Sequence, residues 1–125
     1  MKYLCLIYYD EKKMDAISKS EWDAICDEAL TYEEELRKSG HLIAAEALQS
    51  VQAATTMRVR NGKVSITDGP FAETKEQLGG FFLINARDLN HAIQVASKIP
   101  PACLGSVEVR PIRELTSSSG DGRTQ

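Results

Sequence analysis

The densest group of ionisable residues in the sequence surrounds a Gly-Pro turn. Asp68, Glu73, Lys75 and Glu76 lie close together in the segment DGPFAETKEQLGG, residues 68–80. Carboxylates beside an ammonium group shift one another's pKa values and can act as general acid and base. The sequence therefore predicts Asp68, Glu73 and Lys75 as candidate catalytic residues. The alternative is a structural turn, in which Asp68 accepts hydrogen bonds from backbone amides and the other charges lie in water.

A second charged pair lies near the end of the chain. Glu108 and Arg110 alternate with Val107 and Val109, so the two charges share one face of a predicted strand. If the valines face the helices, Arg110 points into the space on the other side of the sheet. There its planar guanidinium suits a carboxylate or phosphate ligand, with Glu108 beside it. An internal ion pair with a nearby carboxylate is the alternative, because a buried charge must be paired whether or not a ligand binds.

Two further residues complete the predicted ligand-binding set. Arg58 shares a hairpin face with Thr56 and Arg60, and it can join the same pocket or lie on an exposed face. Tyr8 lies near the end of the first predicted strand, where it can present its hydroxyl at the mouth of a pocket. A half-buried structural tyrosine is the alternative for that position.

The sequence contains no recognisable metal or cofactor site. His41 and His91 have no partner at the spacing of metal ligands or of a catalytic triad, so both are predicted to be surface residues. Dinucleotide and P-loop fingerprints do not occur. The three cysteines contain no Cys-x-x-Cys pair, which predicts free thiols in a reducing cytoplasm, with Cys103 in a loop.

Composition excludes several classes of protein. The chain has 125 residues, of which 42% are hydrophobic and 26% charged, so one soluble domain is expected over residues 1–115. The serine- and glycine-rich tail 116–125 is predicted to be disordered. A net charge of -3 argues against direct binding of nucleic acid. Since no apolar run approaches the roughly 20 residues of a membrane span, no membrane association is expected.

The first half of the sequence predicts a strand and a long helix. Residues 3–9 are apolar on both alternating faces, which is typical of a strand covered on both sides. The polar residues 10–17 are expected to form a loop. Ser18 and Glu21 have the spacing of a capping box, and an apolar stripe at helical spacing runs from there towards Gly40.

The second half predicts a hairpin, a helix and three more strands. Asn61-Gly62 tolerates positive φ at both central turn positions, so residues 55–60 and 63–67 are expected to form a tight β-hairpin. Asp88 is expected to cap a second helix. The other expected elements are a weakly marked strand over 42–48, one helical turn within 71–78, and strands over 81–84 and 106–112, with Gly79-Gly80 leading into the former.

This order of elements predicts an α+β fold. The sequence β-α-β, hairpin, β-α-β builds a ferredoxin-like antiparallel sheet with two helices on one face. Two helices leave the other face bare, although the first strand is apolar on both sides. A second copy packed sheet to sheet is the simplest cover, which predicts a homodimer. The alternative is a monomer whose loops fold over the sheet.

Two segments resemble a known family. Residues 68–81, DGPFAETKEQLGGF, and residues 105–112, GSVEVRPI, resemble the DGPF branch of the YCII-related proteins. The resemblance implies a dimeric α+β barrel made of two ferredoxin-like subunits joined face to face. It also implies a functional link to extracytoplasmic-function sigma factors, of which DGPF proteins look like genetic companions.

The resemblance does not carry over a mechanism. Some YCII-related enzymes resemble lyases that use a histidine on the first helix and an aspartate after the second, but Ala29 and Ile99 occupy those positions here. The favoured hypothesis is therefore a dimeric small-molecule-binding or regulatory module, with a small anionic ligand and a sigma-factor link. The alternative is a small-molecule lyase or isomerase, with Asp68 or Glu73 as base and Lys75 or Arg110 stabilising an anion.

Overall fold

The computed structural model describes residues 1–117, except for the side chains of Ala102 and Cys103. Residues 118–125 of the predicted disordered tail, and the thiol predicted at Cys103, lie outside the described residues. The described elements are β1 (Lys2–Tyr9), α1 (Glu11–Ala16), α2 (Lys19–Lys38), β2 (Leu42–Ala47), β3 (Thr55–Arg60), β4 (Lys63–Asp68), β5 (Gln77–Asn85), α3 (Leu89–Ser97) and β6 (Gly105–Pro111), with 3-10 turns at Val51–Ala53 and Pro100–Leu104.

Side-chain caps begin all three helices. Ser18 Oγ accepts a hydrogen bond from Glu21 N at the start of α2, and Asp88 Oδ1 accepts one from His91 N at the start of α3, as the sequence predicted. The loop predicted over residues 10–17 is wrong, because this segment contains α1. Asp10 caps α1 by accepting from Lys12 N, and the buried Met14 anchors it.

Four strands form the central antiparallel sheet, in the order β2-β5-β1-β6. With the hairpin set aside, the chain runs βαββαβ, counting α1 and α2 as one helical layer. This is the predicted α+β ferredoxin-like arrangement. The strands β3 and β4 hydrogen-bond only to each other and form a separate two-stranded sheet. Their turn is the predicted one, with φ of 53° at Asn61 and 75° at Gly62.

The strand β5 is longer than the sequence predicted. It begins at Gln77 and includes Gly79 and Gly80, whereas the prediction began at Phe81. The helical turn predicted within 71–78 does not form. A bulge in the β1–β5 ladder takes up Gly79, because Ile7 pairs with Gly80 while Tyr8 pairs with Leu78.

One face of the sheet, here called the covered face, carries the core under α2 and α3. The strand residues Tyr3, Cys5, Ile7, Phe82 and Ile84 pack there with Leu36, Ala92, Val95, Ala96 and Ile99 of the helical layer. Tyr32 in α2 stacks on Phe82 with ring centroids 6.4 Å apart and donates a 2.6 Å hydrogen bond to Val95 O in α3. This one side chain therefore joins both helices to the sheet.

The opposite face, here called the open face, is also apolar but only partly buried. It carries Leu4, Leu6 and Tyr8 from β1, with Phe81 and Leu83 beside them on β5. Since α2 and α3 both pack on the covered face, they leave these side chains uncovered. The two sides of the sheet thus meet very different surroundings, as the sequence predicted.

Candidate functional site

Three of the four predicted ligand-binding residues come together on the open face. The Tyr8 hydroxyl donates a 3.4 Å hydrogen bond to Glu108 Oε1, and Arg110 Nε donates a 3.0 Å hydrogen bond to Glu108 Oε2. Arg110 Nη2 makes a second contact with the same carboxylate oxygen. The hydrogen bond with Glu108 and the charge of that carboxylate raise the pKa of Arg110. The positive charge of Arg110 is therefore already partnered.

Strand alternation places this pair. Val107 and Val109 pack against the core cluster, so the intervening Glu108 and the following Arg110 point to the open face. The side chains remain 41% and 69% exposed, respectively. The ion pair is consequently a partly solvated one at the edge of the sheet.

The predicted catalytic residues are not brought together. Asp68 ends β4, while Glu73 and Lys75 lie in the segment before β5, and all three are exposed. None of their side chains makes a hydrogen bond or ion pair within residues 1–117. Glu76 differs, because its Oε1 accepts a 2.8 Å hydrogen bond from Ser106 Oγ and so attaches this segment to β6.

A large cleft opens beside Tyr8, between the sheet and the Gly-Pro segment. It has a volume of about 700 Å³, and its lining is mostly apolar. Tyr8 and Leu78 line it from the sheet, Pro70 and Phe71 from the Gly-Pro segment, and Leu48 and Val51 from the chain between β2 and β3. This space is called the open-face cleft. Its size and apolar lining are typical of sites for small molecules.

Local hydrogen bonds hold the wall of the open-face cleft in place. Gly69 adopts φ of 109°, a conformation that favours glycine, and its amide donates to Ala54 O at 2.8 Å. Thr56 Oγ1 donates to Gly69 O, also at 2.8 Å. At the other end of the segment, Gln77 Nε2 donates to Thr74 O at 2.6 Å. A turn therefore forms at Gly69-Pro70 and lines the cleft, but backbone groups and Thr56 hold it, not the hydrogen bonds to the Asp68 carboxylate that the structural alternative invoked.

Arg58 does not line the open-face cleft, but it contacts Phe71, which does. Its guanidinium carbon is 5.6 Å from the centroid of the Phe71 ring, which lines the cleft. This geometry is that of a cation–π contact. Of the two alternatives for Arg58, a pocket shared with Arg110 or an exposed hairpin face, the residue is exposed on the hairpin and contacts Phe71.

A second cleft, here called the helix-side cleft, lies on the covered side of the same strand ends. It has a volume of about 780 Å³, and Tyr9 and Trp22 meet in it edge to face with centroids 6.4 Å apart. Burial, and then the charge of Glu11, raise the pKa of Tyr9. Glu11 itself is held by Ser50 Oγ at 2.7 Å and Val51 N at 3.1 Å. Its carboxylate is therefore committed to structure.

The family model of the YCII-related domain matches residues 1–116. A protein of Rhizobium meliloti (strain 1021), uncharacterised protein R00369, is 38% identical over 114 residues, which cover 90% of this chain and 92% of that protein. The chain belongs to the YCII-related family.

In this YCII-related chain, Ile99 occupies the position at which the resemblance places the aspartate of the lyase-like relatives, and it belongs to the core. Ile99 is 1% exposed and packs with the core cluster. Ala29, at the position of the expected histidine, is partly buried on α2. The geometry therefore offers no acid–base pair at these two positions. Membership of the DGPF branch stays a prediction.

Two histidines of the YCII-related chain, predicted to be surface residues without metal-ligand or triad partners, lie against each other. The rings of His41 and His91 lie edge to face with centroids 4.9 Å apart. Arg87 N donates to His91 Nδ1 at 3.0 Å. Among the described residues, however, His, Cys, Asp and Glu side chains form no group of three or more arranged to hold a metal ion.

The residues that build the clefts were mostly missed by sequence reasoning. Phe71, Leu78, Tyr9 and Gln77 line one or both spaces. The available signal was the pair Tyr8-Tyr9 at the end of an apolar strand, because successive residues of a strand point to opposite faces.

No helix in the described part of the chain has the length and apolar character to cross a membrane.

Proposed function

We propose that this YCII-related protein is a small-molecule-binding module whose ligand occupies the open-face cleft. The observation that carries the proposal is the cleft itself, an apolar space of about 700 Å³ walled by the Gly-Pro segment. Tyr8 and Thr74 supply polar groups at its edge, which is the usual arrangement for orienting a small ligand. An apolar ligand body against Tyr8, Leu78 and Phe71 would be removed from water.

Binding is favoured over catalysis because the predicted catalytic groups do not converge. Asp68, Glu73 and Lys75 are exposed and make no hydrogen bond or ion pair with one another. An acid–base lyase or isomerase needs a base and an anion-stabilising group aimed at one reacting atom. Arg110, the other predicted anion-stabilising group, is engaged with Glu108.

Filling the cleft tests the proposal. Ala72 is an exposed residue that lines the open-face cleft, so Ala72→Trp places an indole at the site without altering the core. The probe is naphthalene-2-carboxamide, an uncharged flat molecule, and binding is followed by calorimetry and by NMR shifts of Tyr8, Phe71 and Leu78. We expect saturable binding to the unaltered protein and at least tenfold weaker binding to the variant.

The matched control is Ala16→Trp, at an exposed alanine that lines neither cleft. It should bind the probe as the unaltered protein does. The proposal would be contradicted if the probe caused no NMR shifts at Tyr8, Phe71 and Leu78, or if Ala72→Trp bound the probe as tightly as the unaltered protein.

We also propose that the module is a homodimer in which a second copy covers the exposed apolar surfaces. On the hairpin, Met57 pairs across the strands with Ile66, and Val59 pairs with Val64. Their exposures of 58%, 69%, 52% and 61% leave most of one hairpin face apolar and in contact with water. A two-stranded hairpin needs a surface to pack on. The open face of the sheet is also uncovered, so a closed two-fold pair of identical chains can bury both surfaces.

Adjacent positions of β4 offer a matched test of the dimer. Ile66→Asp places a charge on the apolar hairpin face, whereas Ser65→Asp places it on the opposite face. We expect sedimentation equilibrium to show a dimer for the unaltered protein and for Ser65→Asp, and a monomer for Ile66→Asp. An unaltered protein that sediments as a monomer would overturn the dimer.

Within this proposal the module works in the cytoplasm, where a reducing environment keeps Cys5 and Cys26 as free thiols. It acts alongside an extracytoplasmic-function sigma factor, as the DGPF resemblance implies. Ligand binding would then be the regulatory signal.

A further inference from the structure

We propose that the ligand of the open-face cleft is a small carboxylate with a flat apolar body, and that Arg58 binds its carboxylate. This inference rests on the proposed function, because it names the chemistry of a ligand for the same cleft. It also assigns to Arg58 the anion-binding role that the strand pattern predicted chiefly for Arg110.

Arg58 and Arg110 differ in the state of their charges. Arg110 contacts the Glu108 carboxylate through two nitrogens. Within the described residues, the Arg58 side chain makes no ion pair or hydrogen bond. Its guanidinium lies over the ring of Phe71. A guanidinium stacked on an aromatic ring keeps the N–H donors along its edge free for a carboxylate. Arg58 is therefore the cation that is ready to bind an anion.

The hairpin face that carries Arg58 is positive. By cross-strand pairing, Arg58 lies opposite Ser65 and shares its face with the Arg60–Lys63 pair. Asp68 pairs with Thr55 and, by alternation, belongs to the other face of the hairpin. In a chain with a net charge of -3, this concentration of cations without a carboxylate favours a negatively charged group nearby.

Two contacts connect this positive face to the cleft. Thr56, on the same face as Arg58, donates to Gly69 O next to the cleft wall, and Phe71 joins Arg58 to the cleft directly. A ligand whose rings pack on Phe71 would need a substituent that extends past this ring to reach Arg58. A carboxylate fits this place because its two oxygens match the planar donors of one guanidinium.

The test compares two probes of equal shape, naphthalene-2-carboxylate and naphthalene-2-carboxamide, by calorimetry at low and high salt. We expect the unaltered protein to bind the carboxylate about tenfold more tightly than the amide, since charge-assisted hydrogen bonds at a partly open site give preferences of this order. Arg58→Gln should abolish the preference and keep the affinity for the amide. Arg110→Gln, the matched control, should keep the preference, and high salt should reduce it.

Three results would overturn the inference. Equal binding of both probes by the unaltered protein would show that no cation acts at the cleft. An equal loss of both probes in Arg58→Gln would show that Arg58 only supports Phe71. A preference lost in Arg110→Gln instead would assign the anion to the other arginine. If neither probe binds the unaltered protein, the proposed function itself fails. This result differs from the three above, in which the cleft binds a probe but Arg58 does not bind the carboxylate.

Discussion

The two faces of the central sheet carry similar side chains in different surroundings. On β1, Tyr3, Cys5 and Ile7 point to the covered face and are 3%, 0% and 5% exposed, respectively. Leu4 and Leu6 alternate with them on the open face and are only partly buried. Both sets are apolar, so hydrophobicity alone does not separate them. The chain therefore uses α2 and α3 to cover one face and leaves the other face without a helical layer.

Burial on the covered face raises the pKa values of two titratable groups. Burial raises the pKa of the Cys5 thiol to about 11. Burial, and then the charges of Cys5 and Glu35, raise the pKa of Tyr32 to about 12. Both groups are held in their neutral forms by the layer of α2 and α3. On the open face, by contrast, the charged pair Glu108 and Arg110 remains partly solvated.

The largest effect should come from shortening neighbouring residues that point to opposite faces. Ile84 is fully buried on the covered face, and Ile84→Ala should lower the free energy of unfolding by about 3 kcal/mol through lost burial and a cavity. Leu83→Ala, on the open face, should cost about 1 kcal/mol in dilute solution, because Leu83 loses less burial. Urea denaturation at two protein concentrations measures both losses.

Protein concentration sharpens this comparison. If a second copy covers the open face, the cost of Leu83→Ala should grow at high concentration while that of Ile84→Ala stays constant. Equal losses for the two variants in dilute solution would mean that the two faces do not differ as described.

A smaller effect is expected at the glycines of β5. A Cβ atom at Gly80 would lie 2.7 Å from Glu46 O in the neighbouring strand, where the backbone cannot easily move. Gly80→Ala should therefore destabilise the protein by about 2 kcal/mol. At Gly79 the clash is with the ring of Tyr9, a side chain that can move.

Gly79→Ala should consequently cost less than Gly80→Ala but displace Tyr9 from Trp22. Trp22 is the single tryptophan of the chain, so its fluorescence reports this change directly. Thermal unfolding gives the two stabilities. If Gly79→Ala leaves the Trp22 emission unaltered, or if Gly80→Ala is harmless, the close packing at this end of the covered face is refuted.

The smallest effect concerns the histidine pair beside the covered face. Desolvation, and then the charges of Arg87 and His41, lower the pKa of His91 below its ordinary value of 6.5. The folded protein therefore binds this proton less readily than the unfolded chain does. Stability should fall slightly as the pH drops through 6.5 towards the folded pKa, and it should not fall further on this account below that value.

An NMR titration of the His91 ring tests this sign. We expect a pKa below that of an unfolded peptide, and an increase towards that value in His41→Gln, which removes one of the neighbouring charges. A His91 pKa above the peptide value would be incompatible with the structure around this pair.

Sequence reasoning succeeded where the signal is local. Ser18 and Asp88 cap their helices, and Asn61-Gly62 forms the hairpin turn, because each needs only residues a few positions away. It failed at the start of β5 and at α1. Gly79 and Gly80 favour a break, yet β5 extends through them. The absence of side chains at these two positions leaves the space that Tyr9 and β2 occupy.

The candidate site was predictable only in part. Glu108 and Arg110 were expected to share one face, and strand alternation places them there. That Tyr8 reaches Glu108 depends on the pairing of β1 with β6. The separation of Asp68 from these residues was not predictable, because it depends on the hairpin forming a sheet of its own. The role of Phe71 depends likewise on where the Gly-Pro turn folds back against β5.

Periodicity, caps and turn residues, which act over a few positions, were enough to predict the ferredoxin-like fold and the apolar character of both sheet faces, though not α1. The family was recognisable from the resemblance carried by residues 68–81 and 105–112. Folding in three dimensions set which arginine is already paired, where the two clefts open and which glycines make room for Tyr9 and β2. Those properties depend on contacts between segments far apart in the chain, and the spacing of residues along a sequence does not specify the distances between such segments.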